Sequence, residues 1–121
     1  MALVLCTGMD KAVLETRKLL IEAAGHNVVA VTDEPSLVDA CEKNSFDVAV
    51  IGQNVGANTK RHIADILKKS CRGVKILELV PLHGERILED ADSWMVVPAE
   101  LPRELGERVT ELARKDKKAK A

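Results

Sequence analysis

Five short apolar runs, separated by amphipathic stretches and turn residues, organise the chain. Residues 2–6, 27–31, 46–51, 74–79 and 93–97 are each short enough for a strand and rich in branched aliphatic residues. The third of these, in FDVAVIGQNVG, has the near-continuous β-branched character of a strand buried on both faces, and it stops at Gly52. Between the runs the period changes to that of helices. Residues 10–24 place Val13, Thr16, Leu20 and Ala24 on an inward stripe, flanked by Leu19 and Ala23. Glu15, Arg17, Lys18 and Glu22 fall on the outward face. Thr7 or Asp10 caps this helix and Gly25 stops it. Thr32-Asp33-Glu34-Pro35 opens a second helix carrying Leu37, Ala40, Cys41 and Asn44. Asn58 or Thr59 caps a third, with Ile63, Ile66, Leu67 and Cys71 on one face and Gly73 at its end. Residues 83–90 form a short fourth helix in this reading. The last, residues 100–115, carries Leu101, Leu105, Val109 and Leu112, although Gly106 weakens it by about 1 kcal/mol relative to alanine.

This strict alternation with short connections requires right-handed crossovers, hence a parallel sheet with helices on both faces. One domain spans residues 1–114. The tail at 115–121, KDKKAKA, has no apolar residue larger than alanine and is expected to be flexible. In such sheets ligands collect at the carboxyl ends of the strands, which points to the position just past Ile51.

Composition narrows the function. With one Phe, one Trp and no Tyr, the chain lacks aromatic platforms for stacking bases. Its 18 basic and 19 acidic residues leave a formal charge of −1, so neither nucleic acid nor an anionic membrane is attracted globally. The apolar start of MALVLCTG is too short to span a bilayer and follows no basic segment, so a soluble cytoplasmic protein is expected. Cys6, Cys41 and Cys71 form no CxxC pair and read as three free, buried, small hydrophobes.

The local sequences resemble the receiver domain of bacterial response regulators from Leu3 to about Ala113. Leu20-Ile21-Glu22-Ala23-Ala24-Gly25-His26 is similar to the end of that family's first helix, and LVDACEKNSFDVAVI to its second helix and third strand. Ala91 to Pro98, ADSWMVVP, followed by Glu104-Leu105, resembles its fifth strand and the start of its last helix. The resemblance implies a flavodoxin-like (βα)5 three-layer fold with sheet order 2-1-3-4-5 and a cis peptide at Val97-Pro98. Receivers accept a phosphoryl group on an aspartate ending the third strand, with Mg²⁺ held by that aspartate and an acidic pair after the first strand. By resemblance the acceptor falls on Gly52, which has no oxygen to phosphorylate. The acidic pair falls on Thr7-Gly8 or Gly8-Met9, the hydroxyl residue of the fourth strand on Glu78 or Leu79, and the lysine that pairs with the phosphoryl group on Val97. A degenerate pocket of Thr7, Gly8, Gly52, Glu78 and Val97 follows, with neither a metal site nor a cofactor.

Other candidates have structural explanations. Asp10 and Glu78 lie near the loop end of the sheet, where they could rebuild an acidic pocket, but a helix cap and a strand-end charge account for them. His26, His62 and His83 show no ligand spacing. Cys6 has no cationic neighbour in sequence to activate it. The loop 53–59 precedes a helix start suited to anions but lacks a phosphate-loop ending. By resemblance, Trp94 falls at the place of that family's aromatic switch residue. The expectation is therefore a non-enzymatic signalling module, independent of phosphorylation. It would bind a signalling protein or itself through the face of the fourth helix, fifth strand and fifth helix around Trp94. The alternative is a small-molecule or nucleotide binder using the loops after the first and third strands. A third reading makes the chain one module of a larger regulator.

Overall fold

The computed structural model describes residues 2–53 and 55–120, with side chains described as far as Arg114. Its elements are β1 (Leu3–Thr7), α1 (Lys11–Ala23), β2 (Asn27–Val31), α2 (Glu34–Lys43), β3 (Val48–Ile51), α3 (Ala57–Ser70), β4 (Lys75–Pro81), β5 (Ser93–Val97) and α4 (Glu104–Lys120). The strands form one parallel sheet of order β2-β1-β3-β4-β5, in agreement with the expected order. The Val97-Pro98 peptide is cis, as the resemblance implied.

Alternation along the strands divides the core in two. Val4, Cys6, Val48, Val50, Leu77, Leu79, Met95 and Val97 pack under α1 and α4, against Leu14, Ile21, Leu105, Val109 and Leu112. On the other face Leu5, Ala49, Ile51 and Ile76 meet Leu37, Ala40, Ala64 and Leu67 of α2 and α3. All four residues of β3 are buried, because this strand is central and covered on both sides. Two helix starts follow the side-chain logic of capping. The Asp10 carboxylate accepts from the amides of Ala12 and Val13, and that of Asp33 accepts from Ser36.

Several expectations are corrected. In α1 the buried positions are Leu14, Arg17 and Ile21, one step round the helix from the expected stripe, while Leu19 is exposed. α3 begins after Gly56, with no side-chain cap, and buries Lys60, Ala64 and Leu67. The last helix starts at Glu104, leaving Leu101 exposed, and its backbone continues to Lys120. The expected tail at 115–121 lies outside the residues whose side chains are described.

Residues 83–90 form no helix. The Glu78 carboxylate takes the amides of Ile87 and Leu88, and only Leu88 of this segment is buried in the core. Too little apolar surface remains there to hold a helical turn against the sheet. Cys41 and Cys71 are also not free thiols. α2 and α3 lie side by side and bring their Cα atoms within 5.1 Å, where the two cysteines form a disulfide. A separation of 30 residues in sequence carries no sign of that proximity.

Candidate functional site

At the loop end of the sheet, β1 and β3 close together through the Gly52 amide, which donates to the Thr7 carbonyl at 3.1 Å. The Thr7 hydroxyl points back into the sheet and donates to the Val50 carbonyl. A Cβ built on Gly52 would lie 3.1 Å from Thr7 O, 3.3 Å from Nη1 of Arg17 and 3.6 Å from the Gly8 Cα. The space beside the glycine is therefore filled by a guanidinium. Arg17 reaches it from α1, is only 9% exposed, and donates through Nη2 to the Gln53 side-chain carbonyl.

Burial lowers the Arg17 pKa, opposed by the nearby Cys6 and Asp10. The same burial pushes the Cys6 thiol up to about 12, although Arg17 pulls it down. Desolvation thus outweighs the cation, and Cys6 stays a protonated core residue at neutral pH. Val97 is packed in the core on this face of the sheet.

Glu78 is not part of this pocket. The register sets Glu78 opposite Ile51, so the residue level with Gly52 is Leu79, and Glu78 points to the α3 face. There it is fully buried and paired with Lys60, whose Nζ lies 3.0 Å from Glu78 Oε2 and 2.8 Å from Leu79 O. The two carboxylate oxygens also accept from Ile87 N at 2.8 Å and Leu88 N at 3.0 Å. Lys60 comes from the first turn of α3 and, like Arg17, was hidden in the sequence by its charge. The signal available for each was a spacing: Leu14, Arg17 and Ile21, or Lys60, Ala64, Leu67 and Cys71, share one helical face.

The other candidates stay apart. Asp10 caps α1, and Glu78 lies on the opposite face of the sheet, so they form no acidic pair. His26 accepts from the Ala2 amide on Nδ1 and donates from Nε2 to the Thr110 hydroxyl, bracing β1 against α4. His62 pairs with Glu34 between α3 and α2. His83 occupies an exposed turn at φ 65°. In the loop 53–59, Gln53 is committed to Arg17, and Asn54 lies outside the described residues. Among the described residues no three His, Cys, Asp or Glu side chains are arranged to hold a metal ion.

β5 forms one edge of the sheet, with β2 at the other, and its alternation sends Met95 and Val97 inward while Trp94 and Val96 face out. Trp94 is 42% exposed, and Leu82 beside it is also open. Without a helix over residues 83–90, the exposed face here consists of the 82–92 loop, β5 and α4, which corrects the expected surface. The Arg86 guanidinium stacks 5.4 Å from the Trp94 ring centre. Arg108 of α4 donates to Trp94 O at 2.7 Å and to Ser93 Oγ at 3.2 Å. A groove of about 750 Å³ runs along this edge between Arg86, Trp94, Val96 and Arg108.

Mg²⁺ does not fit the pocket at Gly52. It requires hard oxygen ligands with negative charge, whereas Thr7, Gly8, Met9 and Gly52 offer no carboxylate, the Asp10 carboxylate beside them caps α1 through Oδ1, and Arg17 contributes a positive charge.

No protein-family model matches the chain, and no curated protein matches it in sequence. Solved structures do match in shape. A response regulator receiver domain protein of Methanospirillum hungatei aligns with 18% identity and a TM-score of 0.76, covering 96% of this chain and 97% of that one. The receiver domain of a Luxo repressor protein from Vibrio parahaemolyticus aligns with 11% identity and a TM-score of 0.80, over 98% and 95%. A pilus assembly-related protein of Burkholderia pseudomallei aligns with 19% identity and a TM-score of 0.72, over 95% and 91%. The chain thus has the flavodoxin-like fold of response-regulator receiver domains, with a guanidinium beside the glycine that ends its third strand.

Proposed function

We propose that the chain is a receiver-fold interaction module in signal transduction that works without phosphorylation and has no catalytic role of its own. It binds a signalling protein through the β5 edge around Trp94. One observation carries this reading: the end of β3 presents Gly52, and the adjoining space belongs to the Arg17 guanidinium. A phosphoacceptor site needs a carboxylate there, together with a metal to offset the oxygens of the transferring group. The partner class is supported by a structure of similar fold, a response regulator bound to a histidine kinase. The exposed indole, braced by Arg86 and set in a groove, has the character of an interface anchor.

We place the protein in the cytoplasm, where such signalling partners act. Among the described residues no helix is long and apolar enough to cross a membrane. The test is incubation with acetyl phosphate and Mg²⁺ followed by intact-mass measurement, which should show no added phosphoryl group. A stable acyl phosphate on any aspartate would overturn the reading. Trp94→Ala should release partners that immobilised wild-type protein retains, with its thermal unfolding midpoint little changed. Equal retention by the variant would remove the β5 edge from the proposal.

A further inference from the structure

Arg17 is a cation nine-tenths buried that has a neutral partner and, among the described residues, no counter-ion. Its guanidinium offers five N–H donors, of which Nη2 is given to the Gln53 carbonyl, and no carboxylate of the described residues lies within ion-pair distance. Asp10 acts on it only through space, since its Oδ1 is engaged with the start of α1. An uncompensated buried charge is costly, and a protein that keeps one ordinarily matches it with an anion.

Arg17 also lines a groove of about 630 Å³ between α1 and the connection from β5 to α4. The rest of that groove is mainly apolar, formed by Val13, Leu20, Met95, Val97, Pro98 and Leu105. The Gln53 side-chain carbonyl sits on the guanidinium, and Thr16, whose hydroxyl donates to Ala12 O, also lines the groove. Among the described residues the only carboxylate on the lining is that of Glu100, which is exposed to solvent.

We infer that this groove binds a small organic monoanion with a short apolar body, its carboxylate on Arg17 and its hydrocarbon against the aliphatic wall. The division of labour follows from the lining. One desolvated cation fixes the charged end by charge-assisted hydrogen bonds, and the aliphatic residues gain from covering the body. Inorganic phosphate would satisfy the charge but leave the apolar wall wet. A neutral alcohol would cover the wall but leave Arg17 without an anion.

The test is a titration followed by amide chemical shifts, with sodium hexanoate as probe and hexan-1-ol and inorganic phosphate as comparisons. Hexanoate should shift the amides of Thr16, Arg17, Gln53 and Leu105 saturably, and bind at least about tenfold more tightly than either comparison. Arg17→Met should lose that advantage. Gln53→Glu should lose it too while leaving the core intact, because the new carboxylate supplies Arg17 with an internal counter-ion. Glu100→Gln should retain or modestly strengthen binding. Hexanol binding as well as hexanoate, phosphate binding better than hexanoate, or Gln53→Glu binding hexanoate like wild type would each overturn the inference. None of these outcomes bears on the interaction role of the Trp94 edge.

Discussion

Glu78→Gln changes one oxygen to an amide at the most buried carboxylate of the described chain, and its consequence can be worked out from the contacts. The carboxylate accepts three hydrogen bonds, from Lys60 and Ile87 on Oε2 and from Leu88 on Oε1. Glutamine has one acceptor oxygen. Placed toward Lys60 and Ile87, it turns its own N–H₂ against the Leu88 amide and leaves that donor unpaired. Placed toward Leu88, it strands two donors instead. An unsatisfied buried donor costs about 1–3 kcal/mol. The Lys60 ammonium also loses its counter-charge in a site where lysine is 1% exposed, and breaking a buried pair from one side costs about 3–5 kcal/mol in all. Against a total stability of about 5–15 kcal/mol for a domain, that loss should be plain in urea unfolding with an unchanged m-value. Because Glu78 also pins the 82–92 loop, amide exchange at Ile87 and Leu88 should accelerate more than at Val50. Lys60→Met should cost a similar amount, while the double variant Lys60→Met/Glu78→Gln should be less destabilised than the sum of the two single changes, since neither charge is left alone. A Glu78→Gln protein within about 1 kcal/mol of wild type, or additive effects in the double variant, would refute the reasoning.

Three further perturbations follow from the packing. Gly106→Ala ought to gain about 1 kcal/mol of helix propensity, yet its Cβ would lie 2.7 Å from the Ala24 Cβ, so net destabilisation of about 1–3 kcal/mol is expected, with relief when Ala24→Gly is added. Reducing the Cys41–Cys71 disulfide, which closes a separation of 30 residues, should lower stability by about 3–4 kcal/mol in the loop-entropy picture. Alkylation of the denatured protein should label one cysteine before reduction and three after, and three labels before reduction would contradict the bond. Burial lowers the His26 pKa below its ordinary 6.5, with Asp47 opposing, so the unfolded chain binds the extra proton first. Stability should therefore be fully present above about pH 6.5 and fall as the pH drops below it, a slope that His26→Gln flattens and that urea melts across pH 5–7.5 would reveal.

The strands and the last helix were legible because each is a local pattern. Val48 to Ile51 can be buried on both faces only in the middle of a covered sheet, and Leu105, Val109 and Leu112 can share a face only in a helix. Asp10 and Asp33 announced two helix starts through the chemistry of their side chains. What escaped were polar residues whose partners are distant in sequence. Arg17 was assigned outward because guanidinium groups are seldom buried, and the expected stripe on α1 therefore lay one step round the helix from Leu14, Arg17 and Ile21. Lys60 escaped for the same reason, and Glu78 looked like a charge at a strand end until its register placed it on the opposite face from Gly52. The missing helix over 83–90 follows from Glu78, since a carboxylate holding two successive amides leaves them unavailable to a helical turn.

These misread residues change the meaning of the glycine at the end of β3. A pocket that had merely lost its acceptor would be a void with carboxylates still around it, and restoring one side chain would nearly restore the site. Here the electrostatic sign is reversed. The buried charge beside Gly52 is the Arg17 cation, while the buried carboxylate of the sheet, Glu78, lies on the far face with its own ammonium and two loop amides. An aspartate at position 52 would meet a guanidinium already within contact distance of its Cβ, and that pairing would satisfy both groups without metal. The charge centres at Glu78 and Arg17 are therefore separated, one fixing a loop beside the exposed Trp94 edge and the other lining a mainly apolar groove. Both are held by contacts within the chain: Lys60 and two loop amides hold Glu78, and the Gln53 carbonyl holds Arg17.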